Sequence, residues 1–98
     1  MVKHIAMWKL EDVAEGNDRD ENAKRIKKGL EDLTGVIDGI IKLEVGINFN
    51  PKGYDLALYS EFESAEALNA YGSHPDHVRM REFIRKVITE QVVADYEM

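Results

Sequence analysis

Residues 41–62, IKLEVGINFNPKGYDLALYSEF, decide the fold. Ile41, Leu43, Val45, Ile47 and Phe49 alternate with Lys42, Glu44, Gly46 and Asn48, the period of two that a half-buried strand requires. Asn50-Pro51-Lys52-Gly53 follows, with proline where it favours a β-turn and glycine at the turn's exit. Tyr54, Leu56, Leu58, Ser60 and Phe62 then share one face of a second strand. The stretch therefore folds back on itself as an antiparallel hairpin.

Upstream of the hairpin, Gly35 and Gly39 bracket a connection, and Ile26, Leu30 and Leu33 recur at the spacing of a one-sided helix. That helix spans roughly Arg19 to Leu33, after a loop at Glu15-Gly16-Asn17-Asp18. Val2 to Leu10 forms the opening strand, with Val2, His4, Ala6 and Trp8 on one face and Lys3, Ile5, Met7 and Lys9 on the other. Downstream, Ser64 is placed to cap a short helix carrying Ala65, Leu68 and Tyr71, which Gly72-Ser73 ends. A second helical piece starts at Pro75 and turns Met80, Phe83, Ile84 and Val87 to one side. The tail from Glu90 to Tyr96 returns to strand character, with Asp95 and Glu97 expected to alternate outward.

The order is β-α-β-β-α-β, the second helix being split near Gly72. This is the split arrangement of a ferredoxin-like α+β fold, one four-stranded antiparallel sheet with helices on one face. The other sheet face also has many apolar positions. A second layer must cover them, and a partner's sheet would do so, giving a homodimer that pairs as an α+β barrel.

At 98 residues the chain is one domain, residues 1–98, that buries about 60–65% of its unfolded surface. The 44% hydrophobic and 33% charged content is that of an ordinary globular domain. A net charge of −6 opposes binding to nucleic-acid backbones. The one basic concentration, Lys24, Arg25, Lys27 and Lys28, is interrupted by Ile26 and reads as a solvated helix face. Without cysteine there is no disulfide, thiol nucleophile or thiolate metal site. No signal-like leader or membrane-length apolar run is visible, and the expectation is a cytoplasmic protein with no membrane contact.

Chemistry, if present, belongs around Tyr71-Gly72-Ser73-His74-Pro75-Asp76-His77, which holds two of the three histidines. Pro75 at a first helical position makes His74 the cap and places His77 in the first turn. There the helix dipole favours a neutral imidazole that accepts a proton, while Asp76 beside it favours the cation, so the sequence leaves the net direction open. The spacing of His74 and His77 is poor for a metal, since His74 lies outside the helix, so no metal and no cofactor is expected. Gly35 and Gly39 lack the context of a phosphate-binding loop. Tyr71 could donate to a carbonyl or enolate, and His4 could carry a proton if its strand face meets the helices. Each residue also has a structural reading, His4 as a bonded strand residue and Tyr71 as core packing. Together they fit a pocket with a few polar groups among apolar walls, Trp8 among them.

Four features coincide: the Lys3-His4 opening strand, the Ser60-Glu61-Phe62-Glu63-Ser64 exit of the hairpin, the Tyr71 to His77 segment, and the closing Val93-Ala94-Asp95-Tyr96-Glu97. Together they resemble the stress-responsive A/B barrel (Dabb) family of dimeric α+β barrels over nearly the whole chain. That family includes proteins of unassigned activity and a plant polyketide cyclase. In the cyclase a strand-one histidine, a tyrosine and the second histidine of a His-Pro-x-His element carry an aldol-type ring closure. The resemblance would put those roles on His4, Tyr71 and His77. Two function classes follow. The first is a small dimeric stress-response protein that holds an apolar, partly oxygenated molecule between sheet and helices. The alternative is a cofactor-free cyclase-like lyase using His/Tyr acid–base chemistry, with an oxygenase as a further variant.

Overall fold

A computed structural model describes residues 1–98. The elements run β1 (Val2–Leu10), β2 (Val13–Ala14), β3 (Asn17–Asp18), α1 (Arg19–Glu31), β4 (Ile40–Ile47), β5 (Leu56–Phe62), α2 (Ala65–Ser73), α3 (Pro75–Val87) and β6 (Ile88–Glu97). β2 and β3 form a minute hairpin inside the first loop. The other four strands make one antiparallel sheet in the order β4-β5-β1-β6. This is the ferredoxin-like arrangement expected from the element order. No helix is long and apolar enough to cross a membrane.

Local chemistry sets the helix ends. The Asp18 carboxylate accepts from the Glu21 backbone N–H at 2.8 Å and starts α1, satisfying one of the donors a helix start leaves free. Ser64 Oγ accepts from Ala67 N–H at 3.1 Å and starts α2. α1 ends at Glu31, and a 3₁₀ turn over Asp32–Gly35 carries Leu33 into the core. The helix thus stops earlier than the periodicity predicts, because Leu33 reaches the same core in the tighter winding.

The inner sheet face packs against the helices. Val2, Ala6, Trp8, Leu43, Val45, Leu56, Leu58 and Phe62 supply it, and Ala23, Ile26, Leu30, Tyr71, Ile84 and Val87 meet it from the helices. Gly29 lets α3 approach α1 closely, since a Cβ there would overlap the Met80 thioether. Gly39 adopts φ +90° ahead of β4, and a Cβ at that position would stand 2.7 Å from that of Ala67.

Two expectations for β4 are corrected. Ile41 does not take its expected place on the apolar side, because the register shifts between Ile40 and Lys42 and Ile40 pairs with Phe62. A bulge of this kind leaves one residue out of the alternation, and Ile41 is half exposed. The strand also ends at Ile47, leaving Phe49 97% exposed beyond it.

The edge of β4 is closed by side chains. Glu31 Oε2 accepts from Val45 N–H at 3.0 Å, and Lys27 Nζ donates to Val45 O at 2.6 Å and to Glu31 at 2.7 Å. An ion pair occupying the free backbone groups of an edge strand blocks further strand pairing there.

Candidate functional site

β1 and the break between α2 and α3 bring the three candidate residues together. His4 lies on the inner face of β1, Tyr71 in the last turn of α2 and His77 in the first turn of α3. The break exists because His74 leaves the helical conformation and its Nδ1 accepts from the Asp76 N–H at 3.1 Å. His74 is the cap, as the sequence implies. The Tyr71 ring, only 2% exposed, sits with its centroid 4.9 Å from Phe62, 4.2 Å from His77 and 6.4 Å from His4.

These residues line one end of a cavity of about 120 Å³. Ala6, Trp8, Leu30, Leu58 and Ile84 form its apolar wall, and Arg81, Arg85 and Gln91 complete the polar part. Cavities near this size take a molecule as large as a benzene ring.

Each histidine has one nitrogen committed. His77 Nδ1 lies 3.2 Å from the Gly72 carbonyl oxygen, which can only accept, so Nδ1 carries the proton and Nε2 is left with its lone pair. Burial holds the His77 imidazole below its usual range, against the opposing pull of the Gly72 carbonyl, and Arg81 adds to the lowering. Neutral His77 is therefore a base. His4 Nδ1 pairs with Asp95 Oδ1, which again fixes the proton on Nδ1 and leaves Nε2 free. Burial alone pushes the Tyr71 phenol far above its usual range, so the hydroxyl remains a donor. In the closed fold it has no acceptor.

The profile of the Stress responsive A/B Barrel Domain (Dabb) matches residues 2–98. The chain belongs to this family. An uncharacterized protein of Streptomyces coelicolor is 35% identical over 102 residues, covering 99% of each chain. The stress-response A/B barrel domain-containing protein DABB1 of Arabidopsis thaliana is 32% identical over 88 residues, 82% of this chain and 39% of that longer protein. Among solved structures, a dimeric ferredoxin-like protein of unknown function from Bacteroides fragilis superposes with a TM-score of 0.85 at 33% identity, covering 99% of this chain and 95% of the other.

Within this A/B barrel domain, the C-terminal strand corrects one expectation. Asp95 does not simply point outward with the strand's alternation. It stands opposite His4 in the β1–β6 register, on the helix side of the sheet, and contacts the ring. Cross-strand partners share a face, so counting the register would have found it, but the pairing joins residues 91 apart and no local pattern announces it. Arg81 and Arg85 belong to no motif in the sequence. Their signal is their spacing from His77, four and eight residues along one face of α3. No group of three or more His, Asp or Glu side chains in the A/B barrel domain gathers as a metal site would require.

Proposed function

We propose that this A/B barrel protein binds a small carbonyl compound in the cavity and transfers a proton at the carbon beside the carbonyl. The observation that carries this reading is the double commitment of Nδ1, on His4 to Asp95 and on His77 to Gly72. It leaves Nε2 of each ring without a partner in the fold, on rings that line the same cavity as a buried, unpaired tyrosine hydroxyl. One imidazole takes the C–H proton while the bonding electron pair moves onto the carbonyl oxygen as an enolate. Tyr71 donates a hydrogen bond to that oxygen, whose charge grows in the transition state. If the imidazolium swaps its proton with solvent and returns a solvent proton to carbon, an exchange is complete. If the enolate carbon instead attacks a second carbonyl of the same molecule, the first carbonyl re-forms, the second becomes an alkoxide, and the imidazolium gives that alkoxide its proton to complete a ring closure. General acid–base groups placed this way contribute about 10²–10⁴-fold each.

The test is deuterium incorporation from D₂O into a simple 1,3-dicarbonyl compound, followed by NMR. Catalysis by the wild type, lost in His77→Ala and reduced in His4→Phe, supports proton transfer. Binding without exchange returns the protein to a carrier of the same ligand class, and exchange that survives both substitutions overturns the assignment.

The same reading includes a homodimer formed through the outer sheet face. Ile5, Met7, Val92 and Ala94 line an apolar depression there, beside Tyr96, which is 43% exposed. Lys3, Lys9, Lys42, Glu44, Glu61 and Glu90 surround it by register. An apolar centre with a charged rim is the anatomy of an interface, and the Bacteroides fragilis relative is dimeric. A monomer by sedimentation at micromolar concentration would remove this part.

A further inference from the structure

Four buried side-chain polar atoms lack a partner in this fold, and three of them belong to residues lining the cavity: Trp8 Nε1, Tyr71 Oη and Arg81 Nε. The indole and guanidinium nitrogens can only donate, and the Tyr71 phenol stays protonated. Trp8 and Tyr71 are 4% and 2% exposed, so solvent does not satisfy them. Leaving one such donor buried and unpaired costs about 1–3 kcal/mol. All three sit on residues that wall one cavity, the atoms themselves enclosed rather than open on its surface, so a ligand that brings acceptors would satisfy them by drawing these side chains toward it.

The charge of the lining points the same way. The chain has 19 acidic and 13 basic side chains, yet the cavity is lined by two arginines and two histidines and by no carboxylate. Asp95 pairs with His4, and Glu82 lies 3.7 Å from Arg85 with both side chains largely exposed, which leaves Arg81 as the cation of the lining without a carboxylate partner.

The cavity also has a direction. α3 runs along β1, with His77 near His4 at one end and the Val87 carbonyl accepting from Glu11 N–H just past β1 at the other. His77, Arg81 and Arg85 follow each other along α3 at about 6 Å per step. Trp8, with Gln91 opposite in register, lies two inward positions beyond His4 along β1. His77 Nδ1 and Arg81 Nη1 both reach the Gly72 carbonyl oxygen, at 3.2 and 3.4 Å, so the Arg81 guanidinium stands beside the proton-transfer residues, with Arg85 and Trp8 farther along the cavity.

From this arrangement we infer that the ligand is a carboxylate, specifically a small oxo acid. Its carbonyl faces Tyr71 and the histidines, and its carboxylate faces Arg81, with the Trp8 N–H and Arg85 beyond. This deepens the proton-transfer reading and rests on it for the placement of the carbonyl. Arg81 already donates from Nη1 to Gly72 O at 3.4 Å, which holds the guanidinium in place and leaves Nε for the ligand. A guanidinium suits a carboxylate because its planar donors match two oxygens.

Acetoacetate and acetylacetone test the inference, being dicarbonyl compounds of closely similar size that differ in charge. Calorimetry on the wild-type protein should show acetoacetate bound at least tenfold more tightly, with the preference shrinking as salt is raised. Arg81→Met keeps the aliphatic stem and should abolish the preference, weakening acetoacetate tenfold or more and acetylacetone less than twofold. Arg85→Gln, at an exposed position, should reduce the preference severalfold without disturbing the fold. Equal binding of the two compounds by the wild type, or a preference that survives both substitutions, overturns the carboxylate assignment while leaving the pocket itself intact. Failure of both compounds to bind overturns the carboxylate assignment and the proton-transfer reading together.

Discussion

Replacing Tyr71 by phenylalanine should stabilise the unliganded protein while suppressing the proposed proton transfer. The Tyr71 ring is buried and packed against Phe62 and His77, and phenylalanine retains those contacts. Only the hydroxyl is lost, and its oxygen is buried without a partner. Such a group forfeits about 1–3 kcal/mol of hydration on folding. The void left by one oxygen costs only a few tenths of that, at about 24 cal/mol per Å³. The net expectation is a gain of about 1–2 kcal/mol. For a domain of this size each kcal/mol raises Tm by about 4–8 °C. Urea unfolding would read the gain as a higher midpoint at unchanged slope, and deuterium incorporation into the dicarbonyl should fall at least tenfold. A Tyr71→Phe protein less stable than wild type by 1 kcal/mol or more would show that the hydroxyl has a partner, and the unsatisfied-donor reasoning would fail with it.

Asp95→Asn should lower deuterium incorporation at least tenfold with little change in stability, because the carboxylate orients His4 but is itself half exposed; rates and urea midpoints measured together check it. His77 makes stability depend on pH. Its folded pKa lies below the unfolded value because burial disfavours the cation, so the unfolded chain binds the proton first and stability falls as pH drops below about 6.5. Comparing urea midpoints at pH 7.5 and 5.5 should show a smaller loss in His77→Gln than in wild type. Gly39→Ala should cost about 2–4 kcal/mol, from the left-handed backbone and the overlap with Ala67. Gly29→Ala should cost about 1 kcal/mol or less, since the flexible Met80 tip can move and alanine gains helix propensity; thermal unfolding separates the two.

Elements with strong local signals were legible from residues alone. The β4–β5 hairpin followed from alternation around Asn50-Pro51-Lys52-Gly53, and the split of the second helix from Pro75 with His74 before it. The outer face of β1 was legible as an unmet apolar surface, because Ile5 and Met7 oppose the inward His4, Ala6 and Trp8. What failed was phase and register. The bulge after Ile40 shifts the alternation by one residue, which no residue type in Ile40-Ile41-Lys42 marks.

The site was half legible for the same reason. His4, Tyr71 and His77 stood out as rare, chemically capable residues, and the fold brings them to one cavity. Asp95 depended on a pairing between the two ends of the chain. Arg81 and Arg85 looked like the ordinary charged face of a helix, and only the shape of the cavity separates the half-buried Arg81 from a solvated side chain.

Titration of the isotope-labelled protein with acetoacetate, followed by NMR, tests the central claim most directly. The single tryptophan gives one indole N–H resonance, and the His4 and His77 ring nitrogens report the other end of the cavity. The account predicts that the Trp8 indole, both imidazoles and the Arg81 Nε–H shift together along one saturating curve, with Nδ1 protonated in both histidines of the free protein. A titration that leaves these four side chains unmoved, or a free protein in which His77 carries its proton on Nε2, would contradict it.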